Sequence, residues 1–115
     1  MWRDPQNKPG YYKGRHYSTY VEEVESLKKK GAIEEAENLL IELVNATEAE
    51  ANAGNSGVAP WYYEELAKIY RKCKDYKREV AILERYANQK HAPGEKPAQL
   101  LERLVKAKKL LASKS

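Results

Sequence analysis

Two stretches of this chain align without a gap. GAIEEAENLLIEL, from Gly31, lies over KDYKREVAILERY, from Lys74, so that Ile33 falls on Tyr76, Leu39 on Ile82 and Leu40 on Leu83. Each stretch follows an amphipathic run that ends in basic residues, LKKK before the first and YRKC before the second. The offset is 43 residues, from Lys74 back to Gly31. Self-similarity at a fixed spacing means that one structural unit is built twice, and apolar steps of three and four residues make that unit a pair of helices. At 115 residues the chain is of single-domain length, with surface enough to bury for one core of ordinary size.

The helical reading extends over most of the chain. Tyr17, Tyr20, Val21, Val24 and Leu27 share one face of a first helix that starts near Ser18. Thr19 and Glu22 have the spacing of a capping box, and Gly31 suits the left-handed residue after the last turn. A second helix runs from about 32 to 53 on Ile33, Ala36, Leu40, Leu43 and Thr47. The loop GNSGVA precedes Pro60, which suits the first position of a third helix. That helix is apolar on more than one face, and Cys73 extends its stripe. Asp75 caps a fourth helix through Tyr76, Val80, Leu83 and Tyr86. HAPGEKP breaks the chain again, and Pro97 opens a fifth helix lined by Leu100, Leu101, Leu104, Val105, Leu111 and Ala112.

No period-two run bounded by turn residues predicts a strand. Residues 1–16 hold two Pro, two Gly and no helical period, and read as an extended arm that Trp2, Tyr11 and Tyr12 pin to a core. The expected class is all-α. It has two stacked helical hairpins at about 18–53 and 60–90, a capping helix at about 97–112, and one repeat domain over 17–115.

The second of these hairpins resembles a tetratricopeptide repeat, a helix–turn–helix unit. Tyr63 stands at the aromatic opener of that pattern, Leu66 and Ala67 at its Leu-Gly pair, and Tyr70 at its Tyr. Lys74-Asp75-Tyr76 fits the turn, and Leu83 fills the later aromatic position. Glu79 departs from the pattern, which has a small Ala there. In the first hairpin Tyr20, Leu27, Gly31, Ile33, Ala36 and Leu40 fit, while Glu23 and Val24 replace the Leu-Gly pair. The resemblance covers roughly residues 17–90, and the fifth helix is similar to the solvating cap of such arrays.

What the resemblance implies is a scaffold that binds a protein or peptide in a groove lined by the first helix of each hairpin. Carried onto this chain it places Lys28, Lys29, Lys68, Arg71 and Lys72 beside Trp61. That cation cluster suits an acidic segment or a C-terminal carboxylate, which an Arg grips with two parallel hydrogen bonds. Basic residues at a helix C-terminus are also ordinary dipole chemistry. The alternative partner is nucleic acid, met by Tyr11, Tyr12, Lys13, Arg15 and His16, where aromatic and basic residues interleave. A third reading is a structural subunit that forms a homo-oligomer through its Tyr and Trp.

Charge and composition exclude more than they select. The net charge is +4, but residues 32–53 hold six Glu and no Lys or Arg. A continuous basic stripe, the usual mark of a nucleic-acid binder, is therefore missing. His16 and His91 lie in separate coil segments without metal-ligand spacing, and read as surface or capping side chains. Cys73 reads as a small packed hydrophobe. No phosphate cradle, nucleophile elbow or carboxylate pair suggests an enzyme or a cofactor. One Cys excludes an internal disulfide, and no apolar run is long enough to span a membrane. The cytoplasm is the default location. All eleven aromatic residues are Tyr or Trp, with no Phe. Every ring thus carries a polar end that must reach water or a partner.

Overall fold

The computed structural model describes residues 8–114; Trp2, one of the expected pins of the arm, lies outside them. The fold is mostly helical, as the periodicity predicts. Five helices follow one another: α1 (Val21–Lys29), α2 (Ile33–Gly54), α3 (Pro60–Lys72), α4 (Tyr76–Ala87) and α5 (Lys96–Lys114). They fall into two compact units, Met1–Ser56 and Gly57–Ser115.

The internal repeat is a real structural repeat, carried by the turns. α1 ends with Gly31 at φ +82° and α3 ends with Lys74 at φ +59°. In the first turn Gly31 N–H donates to Lys28 O at 3.1 Å and Ala32 N–H to Leu27 O at 2.9 Å. In the second, 43 residues on, Lys74 N–H donates to Arg71 O at 3.0 Å and Asp75 N–H to Tyr70 O at 2.8 Å. These paired bonds are the Schellman closure, which satisfies the last carbonyls of a helix and reverses the chain. Burial repeats with them: Ala36 matches Glu79, Leu40 matches Leu83 and Leu43 matches Tyr86, all buried. Pro60 occupies the first turn of α3, and Asp75 caps α4 by accepting from Arg78 N–H at 3.1 Å.

The first unit packs α1 against α2, with Tyr20, Val24, Ala36, Leu40, Leu43 and Val44 buried. The arm departs from expectation. It is a two-stranded antiparallel hairpin, β1 (Tyr11–Tyr12) and β2 (Arg15–His16), turned by Lys13 and Gly14, both at positive φ. Two-residue strands leave too short a pattern for alternation to register. A 3-10 turn, Tyr17–Tyr20, then leads into α1, and the capping box does not form. The Thr19 hydroxyl is drawn backwards instead, donating to His16 O at 2.8 Å and accepting from Arg15 Nε at 3.2 Å.

Glu50 of α2 clasps this arm. It accepts from His16 Nε2 at 2.7 Å and from the Tyr17 hydroxyl, which also bonds the buried Thr47. His16 Nδ1 accepts from Ser18 N–H, so the neutral ring carries its hydrogen on Nε2, toward the carboxylate. Gly10, at φ +88°, lies so close that a Cβ there would come within 2.6 Å of the same carboxylate.

In the second unit α4 packs against both α3 and α5. Tyr62, Tyr63, Tyr70 and Tyr86 are buried core residues, and Tyr76 is half-buried. Tyr63 and Tyr86 meet at 5.1 Å between centroids, and His91 stacks on Tyr86 at 4.2 Å while donating to Tyr86 O at 2.7 Å. Both histidines thus act as caps. Two expectations for apolar positions fail. Cys73 is exposed, because α3 stops at Lys72 and the Schellman turn carries the next residue out of the stripe. Leu101, Val105 and Ala112 are exposed on α5, while Leu100 and Leu104 are buried as expected and Ala107 joins them.

Two measurements check these assignments. Lys74 takes a left-handed conformation that costs a side chain roughly 1 kcal/mol more than Gly. Lys74→Gly therefore raises unfolding free energy by about 0.5–1 kcal/mol in urea, and Gly31→Ala lowers it by a similar amount; a loss in Lys74→Gly contradicts the assignment. Burial above all, with Glu50 adding to it against the opposing Thr47 bond, raises the Tyr17 pKa above its ordinary 10.0. The stabilisation is complete below pH 10 and is lost as pH rises beyond it, since the unfolded chain releases the proton first. The urea midpoint of the wild type accordingly falls more steeply above about pH 10 than that of Tyr17→Phe. Parallel declines contradict the burial of the Tyr17 hydroxyl.

Candidate functional site

The second unit contains a carboxylate with no exposure at all, that of Glu79. It stands at the α4 position whose counterpart in the first repeat is Ala36. An ionised group cut off from water is stable only when paired and hydrogen-bonded. Here two arginines pair it. Arg71, on the last turn of α3, donates from Nε to both Glu79 oxygens at 2.7 and 2.9 Å. Arg103 of α5 brings Nη1 to 3.6 Å from Oε2, near enough for attraction and too far for a hydrogen bond. The arginines remain 32% and 28% exposed.

A second bridge joins α3 to α5 further back: Lys96 Nζ lies 2.8 Å from Glu64 Oε1. Arg71 is seven residues beyond Glu64, and Arg103 is seven beyond Lys96. Equal steps on both helices mean that α3 and α5 run in the same direction, in register, with the two bridges about 10 Å apart. Between them is an open cleft of 320 Å³, lined by Glu64, Arg71, Gln99, Glu102, Arg103 and Lys106. On its lip Lys106 lies 3.6 Å from Glu102.

The charges in this cleft do not cancel. Glu64 has Lys96, and Glu102 has Lys106, one cation to each acid. Glu79 alone has two. One unit of positive charge is therefore left over, on planar guanidinium groups, at the floor of a cleft open to solvent. Nε is the only Arg71 donor engaged by Glu79, which leaves its Nη groups outside that contact.

Of the cations that the repeat pattern singled out, Arg71 alone lines this cleft. Lys68 pairs with the buried Glu65 at 2.7 Å, Lys72 is exposed beyond it, and Trp61 meets Tyr62 edge-on at 4.9 Å. Lys28 and Lys29 lie on the last turn of α1, in the first unit. Arg103 was invisible to a reading of α5 by its leucines alone. The signal that could have found it is Glu79 itself, since a carboxylate in a register of buried positions demands cations from whatever packs against it.

The aromatic and basic groups of the arm serve the first unit's own structure. Arg15 donates from Nη2 to Thr19 O at 2.7 Å, pairs with Glu23 at 2.7 Å and lies over Tyr20 at 4.2 Å. Tyr12 O accepts from the Tyr20 hydroxyl at 2.7 Å, and Lys13 lies over the Tyr12 ring at 5.5 Å. Lys8 covers Tyr11 at 5.1 Å, and the His16 ring meets Tyr11 edge-on at 5.7 Å. Few faces in this cluster are left for stacking on bases.

Among the described residues no group of three or more His, Cys, Asp or Glu could hold a metal ion, and no helix is long and apolar enough to cross a membrane. Compared with known protein families, curated proteins and solved structures, the chain matches none.

Proposed function

We propose that this chain is a protein- or peptide-binding adaptor whose docking surface is the α3–α5 cleft of the second unit, and that the docked segment is acidic. The supporting observation is the charge count at Glu79: two guanidinium groups on one buried carboxylate leave a positive site that an anionic group completes. An Arg offers such a group parallel hydrogen bonds as well as charge. The tetratricopeptide-like pattern in α3 and α4 supports the same reading, since repeats of that kind serve as binding scaffolds.

The physical expectation is modest affinity. A small open cleft with one surplus charge suits a dissociation constant on the order of 10–100 μM, weakened by salt because the site is solvent-accessible. Fluorescence polarisation with a labelled Glu-rich peptide and its Lys-rich counterpart checks this. The acidic peptide binds at low ionic strength, is released by about 0.5 M salt, and the basic one does not bind. Equal responses to the two peptides contradict the proposal.

A further inference from the structure

We infer that the cleft reads a single side-chain carboxylate, and that Arg103, together with Arg71, is the residue that makes it do so. This rests on the peptide-binding reading above and specifies it.

The number of charges comes from the pairing. The surplus at the buried Glu79 is one unit, because each of the two acids that line the cleft has its own lysine. A monoanion neutralises it. A second acidic group on the ligand would face Glu64 and Glu102 with no unpaired cation to meet it. A dianionic phosphate would carry one charge more than the site offers.

The identity of the reader comes from geometry. Arg71 is oriented by its one Nε–H, which is shared between both Glu79 oxygens at 2.7 and 2.9 Å. Arg103 is held only by attraction at 3.6 Å. Its donors are therefore not consumed by Glu79, and it can turn toward a ligand without breaking a hydrogen bond to that carboxylate. Removing either arginine also removes the surplus, since one cation is left for one acid.

The direction of the segment comes from the lining. Along α5, Gln99 lies one turn before Arg103 and Lys106 about one turn after it, and both border the cleft. Polar contacts continue on both sides of the arginine. That arrangement suits a chain that passes through and inserts a side chain. A chain terminus that stops at the arginines would use one side only.

The experiment titrates the intact protein with nine-residue peptides acetylated at the N-terminus and amidated at the C-terminus, carrying no Glu, one central Glu, three Glu, or one central phosphoserine. The one-Glu peptide binds roughly tenfold more tightly than the neutral one. Three Glu gain no more than about threefold, and phosphoserine gains nothing over Glu. Arg103→Gln abolishes the tenfold preference. Arg103→Lys, which keeps the charge and loses the planar donors, retains only part of it. Far-UV circular dichroism of both variants, matching the wild type, ties the effect to the site.

Four outcomes overturn the inference. They are equal binding of the neutral peptide, a further tenfold gain with each added Glu, tighter binding of phosphoserine, and binding only when the C-terminus is left free. Binding that Arg103→Gln leaves unchanged overturns it too, while the wider peptide-binding reading stands. If none of these peptides, nor a Glu-rich one, binds the wild type, both readings fall.

Discussion

The second unit depends on one buried carboxylate. Glu79 has no contact with water, and the groups that make this tolerable come from two other helices, Arg71 of α3 and Arg103 of α5. Its own helix supplies neither. A buried acid without partners costs several kcal/mol, so the helices that bring the arginines cannot shift far without exposing that cost. Leu66, Leu83 and Leu100 are buried as well, but hydrophobic attraction is non-directional and by itself tolerates sliding. A shared carboxylate does not, because its bonds are directional. The bridge from Lys96 to Glu64, the same seven residues back on both helices, sets the register a second time. The carboxylate that ties the helices together also creates the uncompensated charge on which the proposed function stands.

Much of the fold was legible because it is written in local chemistry. Pro60 at the start of α3, Asp75 at the start of α4 and Gly31 after α1 act through their own backbone and nearest neighbours, and each does what its residue type predicts. The repeat was legible for the same reason. Its two halves share a turn, and the hydrogen bonds of that turn recur 43 residues apart even though a Gly in one is a Lys in the other. What failed depended on competition. Thr19 has the spacing of a capping box, but Arg15 and His16 claim its hydroxyl first, so a 3-10 turn precedes α1. Cys73 continues the spacing of an apolar stripe, but the helix that carries the stripe ends one residue before it. The arm lacks any period because its hairpin is two residues long on each side, and what holds it is Glu50, which is remote in sequence.

The candidate site was half legible for a related reason. Arg71 was found through the repeat pattern, which places it on the first helix of a hairpin. Glu79 was visible as a departure from that pattern, an acid where Ala36 stands in the other copy. Arg103 was not, since no property of α5 alone marks it out among the other cations of that helix. A pairing of three residues from three helices exists only once the helices are assembled. The tyrosines illustrate the opposite case. A Tyr-rich, Phe-free composition suits a thin helical core, where a ring can bury its body and still find a partner for its hydroxyl, and Tyr62, Tyr63, Tyr70 and Tyr86 are buried in that way.

Glu79 and Arg71 stabilise the second unit through each other and not through separate packing. A double-mutant cycle measures that directly, comparing urea unfolding of wild type, Arg71→Ala, Glu79→Ala and the double variant. A coupling energy of about 2 kcal/mol or more is expected, with the double variant much less damaged than the two single losses add up to. Losses that add to within about 0.5 kcal/mol would contradict it.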